Sequence, residues 1–481
     1  MAVRRDPLDR DRWARLRFSI IGALLAAPPQ PGELRAALAA LSAKTWRHPS
    51  SALPMRFGVS TIERWFYAAR RATLDPVAVL KTRVRADAGQ QRVLLPALIE
   101  TLSAQYRDHP GWSCQLHYDN LGAALADDIA LPSYTTVRRY LKAQGLFKKS
   151  VARHRLTPGQ IAAEVHLQSR EVRSFEVDHV GGLWHLDFHH GSRKVLTRSG
   201  EWVTPMALAV LDDRSRLACH VQWYLDETAQ SLVHALSQAL QRRGLPRALM
   251  TDNGAAMMAE EFGCGLHTLG IVHQTTLPYS PYQNAKQESF WGRVEGRLIA
   301  MLEGVKDLSL ELLNTATQAW TEHEYQRSVH SELGTTPLAR YLEGPHVTRE
   351  CPGSDALRSA FRLEVTRSQR RSDGTVSLEG QRFEIPSRYR HLQRIHLRYA
   401  RWDLGGVELV DARRGSVLCA IYPLDKSANA SGLRRVLESV IAGSTQATES
   451  GIAPLLRRLM ADYAATGVPP AYLPTQQEPT A

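Results

Sequence analysis

The sequence predicts a multidomain protein with helical modules at its N-terminus, a central α/β domain and a small β-barrel toward its C-terminus. Three observations carry this reading. The chain has 481 residues, more than one compact core accommodates. Up to about residue 147 the apolar residues recur at helical spacing, whereas from 179 to 345 strand-like and helix-like runs alternate. From 372 to 422 short runs alternate apolar and polar residues between turn signals.

Composition narrows the class. Apolar residues make up 43% and charged residues 22%, as in globular rather than disordered chains. The formal net charge of +12 fits a polyanionic partner, nucleic acid before membrane; the plainer reading is an arginine-rich proteome. Five cysteines, Cys114, Cys219, Cys264, Cys351 and Cys419, are dispersed and never form a C-x-x-C pair, which fits free thiols in a reducing cytoplasm. Cys264, His267 and His273 lack a fourth ligand at a zinc-like spacing. Residues 18–27 follow several arginines and mimic a secretory signal, but Asp6, Asp9 and Asp11 stand in the region that should be positive. An amphipathic helix is the better reading there, and no apolar run approaches the roughly 20 residues of a membrane span.

The first segment, 1–80, reads as a helix–turn–helix domain. After Gly58, Ser60 and Thr61 cap a helix with Trp65 and Phe66 on one face and Arg64 and Arg70 on another. The second, 85–150, repeats the theme: Val137 and Leu141 face inward at i, i+4, while Arg138, Arg139 and Lys142 are free to face a groove. An ordinary amphipathic surface helix would read the same way in either case. Two tandem modules suit a long, asymmetric DNA site. Residues 151–178 read as a polar linker.

The central segment, 179–345, carries the candidate chemistry. In Leu183-Trp184-His185-Leu186-Asp187-Phe188-His189 the strand period of two puts His185, Asp187 and His189 on one face. Residues 206–211 are continuously apolar, as in a strand covered on both sides, and 217–224 return as a third strand. Leu232, Ala235, Leu236, Ala239 and Leu240 mark a helix. Residues 247–251 form a short strand that delivers Asp252 at its carboxyl end, where α/β sheets bind ligands. A Pro-rich loop then opens a helix from about Ala285 to Met301, with Phe290, Val294, Leu298 and Met301 as its core stripe. Glu288, near that helix start, can point back at the sheet, and Glu295 reads as a solvated or DNA-proximal residue. Taken singly, Asp187 reads equally as a surface strand residue, Asp252 as a turn residue and Glu288 as a helix-dipole partner. His185 and His189 read as structural or DNA-facing rather than metal-binding.

Residues 355–424 read as the barrel. From 356 to 402 there are eleven arginines against four acidic residues, and Arg394 and Arg398 stand opposite Ile395 and Leu397 on their strand. Glu379-Gly380 turns one hairpin. In the tail, 425–481, Ile452, Leu455, Leu456, Leu459 and Tyr463 form one apolar helical stripe, which either docks a partner or folds back on the chain itself.

These motifs together resemble the DDE transposase and retroviral integrase superfamily. The matching pieces are Trp184-His185-Leu186-Asp187, Thr251-Asp252-Asn253-Gly254 and residues 280–288, with 35 residues between Asp252 and Glu288, a hallmark of that superfamily. Ala285 departs from it, since relatives usually carry glycine there. The resemblance implies a ribonuclease-H-like fold in which Asp187, Asp252 and Glu288 bind two Mg2+ ions, with Mn2+ able to substitute. It implies a transposase that frees a 3′ hydroxyl at an element end and joins it to target DNA, with Lys286 near the DNA. The basic barrel is similar to the one that follows the catalytic domain in phage Mu-type transposases. The implied partners are double-stranded DNA, further copies of the chain on that DNA, and an AAA+ ATPase that selects targets and engages the tail helix. A bacterial cytoplasmic, nucleoid-associated location follows from the same resemblance. Two alternatives are a nuclease of this fold without strand transfer and a catalytically silent, transposase-derived regulator.

Overall fold

The computed structural model describes residues 7–72, 74–82, 94–125, 130–148, 176–276, 285–424 and 451–468. Most of the expected linker, the loop at 277–284 that precedes the Glu288 helix, and 425–450 and 469–481 of the tail lie outside the described residues. The chain divides into two units, 1–96 and 97–481.

The first unit is helical. Helix α1 (Pro7–Ala26), α2 (Leu34–Ala43), a two-residue hairpin β1 (Trp46–Arg47) and β2 (Pro54–Met55), α3 (Val59–Arg71) and α4 (Pro76–Val79) follow in order. The stretch that mimics a signal sequence is thus part of α1, whose Ala14, Ile20 and Ile21 join Leu38, Ile62, Phe66 and Ala69 in one core. Asp75 caps α4 by accepting from the amides of Val77 and Ala78 at 3.0 and 2.8 Å, with Pro76 at the first turn where no donor is needed.

The second unit opens with α5 (Pro96–Asp108), α6 (Cys114–Ala124) and α7 (Tyr134–Gln144), the last closed by Gly145 in the left-handed region. A five-stranded sheet then forms from β3 (Leu183–His190), β6 (Met206–Asp212), β7 (Ala218–Tyr224), β8 (Ala248–Thr251) and β9 (Val272–Thr275), with β4 (Val195–Leu196) and β5 (Trp202–Val203) pairing separately. Its spatial order is β7-β6-β3-β8-β9. The first three strands are antiparallel, while β8 and β9 run parallel to β3. This mixed sheet is the layout expected of a ribonuclease-H-like domain. Every residue of β6 is buried, as its apolar run predicts, and so is every residue of β7, including His220 and Gln222.

Helices cover both faces. On one lie α8 (Ala229–Arg243), which carries the predicted Leu232-to-Leu240 stripe, and α9 (Glu260–Thr268). On the other lie α10 (Ala285–Arg293), which continues through a π-turn at Val294–Ile299, and α11 (Leu310–His323). The outer edge of β7 is closed by side-chain amides. Asn314 accepts from the Trp223 amide at 2.7 Å and donates to its carbonyl at 3.1 Å, and Gln318 donates to the Val221 carbonyl at 2.6 Å. Gln326 donates to the Ala218 carbonyl at 2.9 Å. These groups do the work of a sixth strand and remove an edge open to mispairing.

After α12 (Pro337–Glu343) and α13 (Ser354–Ala360) come six strands: β10 (Leu363–Ser368), β11 (Thr375–Leu378), β12 (Gln381–Glu384), β13 (Arg394–Ala400), β14 (Asp403–Val410) and β15 (Val417–Pro423). Their order, β10-β13-β14-β15-β12-β11, brings the first and last strands together into a near-closed barrel around Leu363, Val376, Phe383, Leu397, Val407 and Ile421. The β11–β12 turn has Glu379 at φ 46° and Gly380 at φ 76°, the two positive values that a tight hairpin demands. The hydroxyl of Tyr399 donates to the Glu379 carboxylate at 2.6 Å, which offsets the strain at a non-glycine position.

Helix α14 (Pro454–Ala465) folds back on the unit. Ile452, Leu456, Leu459 and Tyr463 are buried with residues of α6 and α11, the Ala453 amide donates to the Met301 carbonyl at 3.0 Å, and the Leu455 amide donates to Asn120 at 3.0 Å. Gly451, at φ 90°, passes so close to Gly304 that any β-carbon there would meet its carbonyl oxygen. Of the two destinations the sequence left open for this stripe, the chain's own core is the one observed.

Candidate catalytic site

The site begins with β3. Trp184 and Leu186 point into the core on one side of the sheet, and His185, Asp187 and His189 alternate to the other, as the period of two requires. On that side the neighbours of Asp187 and His189 in β6 are Ala209 and Ala207. Their small side chains leave room for α10 to lay Phe290 and Trp291 against the sheet.

Helix α10 is fastened to β3 at successive points. Gln287, fully buried, donates to the carbonyls of His185 at 2.9 Å and Ala209 at 3.3 Å. The indole N–H of Trp291 donates to Oδ2 of Asp187 at 3.3 Å, and its ring stacks on His189 with centroids 4.8 Å apart. Nε2 of His189 lies 3.0 Å from Oε1 of Glu295, which also accepts from the amide and hydroxyl of Ser192. Burial pushes the Glu295 carboxyl up, but these hydrogen bonds more than offset it and hold the group below its ordinary value. Of the two readings its position allows, solvated or DNA-proximal, the first does not hold: Glu295 is half-buried and bonded to β3 and the segment just after it.

Asp213, just after β6, anchors the start of the helix. Its side chain is sealed from solvent, with Oδ1 2.7 Å from His185 Nε2 and in contact with the Lys286 ammonium, and Oδ2 accepting from the Val177 amide at 2.8 Å. Burial would raise this carboxyl, but His185 and Lys286 bring it down to about 2. The adjacent Asp212 is instead raised, chiefly by burial, although it accepts from Ser215 and Gly181.

The second candidate carboxylate follows β8. The parallel register pairs Leu183 with Ala248 and His185 with Met250, so continuing it by two residues sets Asp187 level with Asp252. Asp252 is exposed; its Oδ1 accepts from the Gly254 amide at 2.9 Å, and Asn253 ties the turn to the Thr276 carbonyl at 3.1 Å. Glu288 is exposed on the first turn of α10, between Gln287 and Trp291, whose bonds fix that helix beside Asp187. Among the described residues no three His, Cys, Asp or Glu side chains converge tightly enough to grip a metal. The donors are nonetheless hard carboxylate oxygens, one within β3, one just after the carboxyl end of the adjacent β8 and one on the helix fastened to β3, which is the donor chemistry that Mg2+ takes.

The candidate DNA-facing residues differ in their surroundings. Arg64 and Arg70 are exposed on α3; Arg64 lies on the face away from buried Phe66, whereas the Arg70 guanidinium sits over the Phe66 ring, 6.0 Å from its centroid. Arg138, Arg139 and Lys142 are exposed on α7, opposite buried Val137, Tyr140 and Leu141. Arg394 is exposed on β13. Arg398, on the same strand, is engaged by Glu364 through Nε at 2.9 Å, by Ser359 at 3.1 Å and by the Gly415 carbonyl at 3.1 Å. Lys286 is likewise engaged, by Asp213. Trp291 and Asp213 were not singled out from sequence; the available signal was a tryptophan three residues after Glu288, where a helix returns to the same face.

No family model matches the chain. Over 134 residues it is 31% identical to an uncharacterised 39.2 kDa protein of insertion element IS476 from Xanthomonas euvesicatoria, a stretch covering 28% of this chain and 38% of that protein. The chain thus spans well under half the length of this curated relative. Among solved structures it is similar to the HTLV-2 integrase catalytic core in complex with magnesium, at 21% identity and a TM-score of 0.28, over 34% of this chain and 97% of that one. The BIV integrase catalytic core gives 23% and 0.27, over 34% and 95%. The simian T-cell lymphotropic virus intasome in complex with a PP2A regulatory subunit gives 16% and 0.30, over 61% and 89%. Over the 134-residue stretch the chain is similar to an insertion-element protein, and the spaced acidic residues Asp187, Asp252 and Glu288 lie on and beside a mixed five-stranded sheet.

Proposed function

We propose that this protein is a DNA transposase that cleaves at the ends of a mobile element and joins the freed 3′ hydroxyl to target DNA. The observation that supports the reading is the parallel pairing of β3 with β8 from Leu183–Ala248 to His185–Met250, with Asp187 two residues beyond His185 and Asp252 two residues beyond Met250, while Trp291 and Gln287 fasten the Glu288 helix to β3. Asp187, Asp252 and Glu288 would hold two Mg2+ ions, or Mn2+ in their place. Such a pair supplies charge to both the attacking and the leaving oxygen of an in-line displacement. The chain's own part is to hold the three carboxylates on rigid elements and to keep the exposed end of the sheet open to a phosphodiester.

Residues 1–80 and 85–150 are proposed as helix–turn–helix modules that read element ends through Arg64, Arg70, Arg138, Arg139 and Lys142. Exposed donors on helices with a buried apolar face support this. The barrel at 355–424 is proposed as a Mu-type, sequence-independent DNA contact through Arg394. Several copies acting together on DNA fit a reaction on two element ends. An AAA+ ATPase that selects target DNA is the proposed partner of the C-terminal region. Because the apolar stripe of α14 is buried in its own chain, the face open to such a partner is the polar one around Arg458 and Asp462.

Incubating the full chain with labelled element-end DNA, target DNA and Mg2+ tests the proposal. Joined products support it, hydrolysis alone indicates a nuclease of the same fold, and binding without either product indicates a silent regulator.

A further inference from the structure

We propose that Trp291 is a positioning residue for the Asp187 carboxylate, itself held in place by the His189–Glu295 pair. The inference rests on the reading of Asp187 as a metal ligand.

An indole has one polar hydrogen and no acceptor, so Trp291 can meet a carboxylate only as a donor. Its N–H is directed at Oδ2 of Asp187, at 3.3 Å, and the residue is only 5% exposed, so little water competes for that bond. A ring placed here merely to fill space would not need the N–H: Phe290, the neighbouring residue, packs edge-on against it without one, with centroids 5.2 Å apart.

The ring is fixed from its other side. His189 stacks on it almost parallel, at an interplanar angle of 14°, and is itself gripped by Glu295, which Ser192 also holds. Glu295 lies in the π-turn that follows α10, a departure from regular helical spacing of the kind found at functional sites. The succession Asp187, Trp291, His189, Glu295 and Ser192 therefore runs from the candidate ligand to the segment after β3. A carboxylate whose rotation is already restricted loses less freedom on gripping a cation, and removing such outer partners typically weakens metal affinity by roughly 10- to 100-fold.

The test is a titration of the full chain with Mn2+ alone, following free Mn2+ by electron paramagnetic resonance, alongside thermal unfolding. Trp291→Phe keeps the aromatic packing and removes the donor. It is expected to weaken Mn2+ binding by roughly tenfold while leaving the unfolding midpoint unchanged, a split that a purely structural role would not produce. Glu295→Gln, which leaves the indole in place and loosens its support, is expected to act in the same direction, and it serves as the test if Trp291→Phe does not fold. Asp187→Asn separates the two layers of the argument. If it binds Mn2+ like the wild type, the reading of Asp187 as a ligand fails. If it loses binding while a folded Trp291→Phe or Glu295→Gln protein retains wild-type affinity, the positioning role is overturned and that reading stands.

Discussion

Asp213 and His185 meet at 2.7 Å where both side chains are closed off from solvent, and the Lys286 ammonium reaches the same carboxylate oxygen. Through this one group the end of β6, the strand carrying Asp187 and the helix carrying Glu288 are joined. Replacing Asp213 with Asn leaves a largely buried ammonium without its counter-charge. A loss of about 3 kcal/mol or more is expected, read as a lower urea midpoint together with reduced cleavage. An unchanged midpoint would show that the junction is not held by charge.

Acid should loosen the second unit. Burial holds His220 down to about 3 and His117 down to about 4, against 6.5 for a free histidine. Between those values and 6.5 the unfolded chain takes up protons that the folded chain refuses. The stability is fully present above about pH 6.5 and falls as the pH drops toward 4, by about 1.4 kcal/mol per pH unit for each group. The urea midpoint is expected to be clearly lower at pH 5 than at pH 7.5, with a shallower dependence in His220→Gln. A midpoint that rises on acidification contradicts this.

End recognition is expected to depend on the exposed arginines of α3 and α7. In the full chain, Arg64→Ala with Arg70→Ala, or Arg138→Ala with Arg139→Ala, should remove separate blocks of a footprint over the element ends. Loss of these donors relaxes sequence preference where a phosphate contact would not. A footprint identical to the wild type in both variants would remove these helices from the recognition surface. A fragment cut at residue 150 is a poor substitute, because Trp112 and Leu116 are buried among residues of α10, α11 and α14.

The two barrel arginines should behave differently. Arg394→Ala is expected to reduce the salt dependence of DNA binding by about one unit of slope, without altering sequence preference. Arg398→Ala breaks the bonds to Glu364, Ser359 and Gly415, so its effect should fall mainly on the unfolding midpoint. Equal changes in salt slope for both would show that Arg398 leaves Glu364 for DNA.

What the sequence reveals here follows the physics of each element. The alternation of His185, Asp187 and His189, the continuous apolar run of β6 and the stripe of α8 each depend on local periodicity, and each matches the structure. The β11–β12 hairpin was legible because Gly380 marks its turn. What escaped depends on contacts between distant segments. Nothing near Asn314 or Gln318 announces that they close the edge of β7, and nothing near Glu295 announces His189 on the strand beneath it. The stripe of α14 was visible, but its destination against α6 and α11 depends on surfaces more than 100 residues away.

The most direct measurement is strand transfer by the full chain carrying Glu288→Gln, with labelled element-end DNA, target DNA and Mg2+, set beside Asp187→Asn and Asp252→Asn. Each change removes one carboxylate proposed as a metal ligand and leaves the packing around it, so end binding and folding should persist while cleavage and joining fall to background. Near-normal strand transfer by Glu288→Gln would contradict the account.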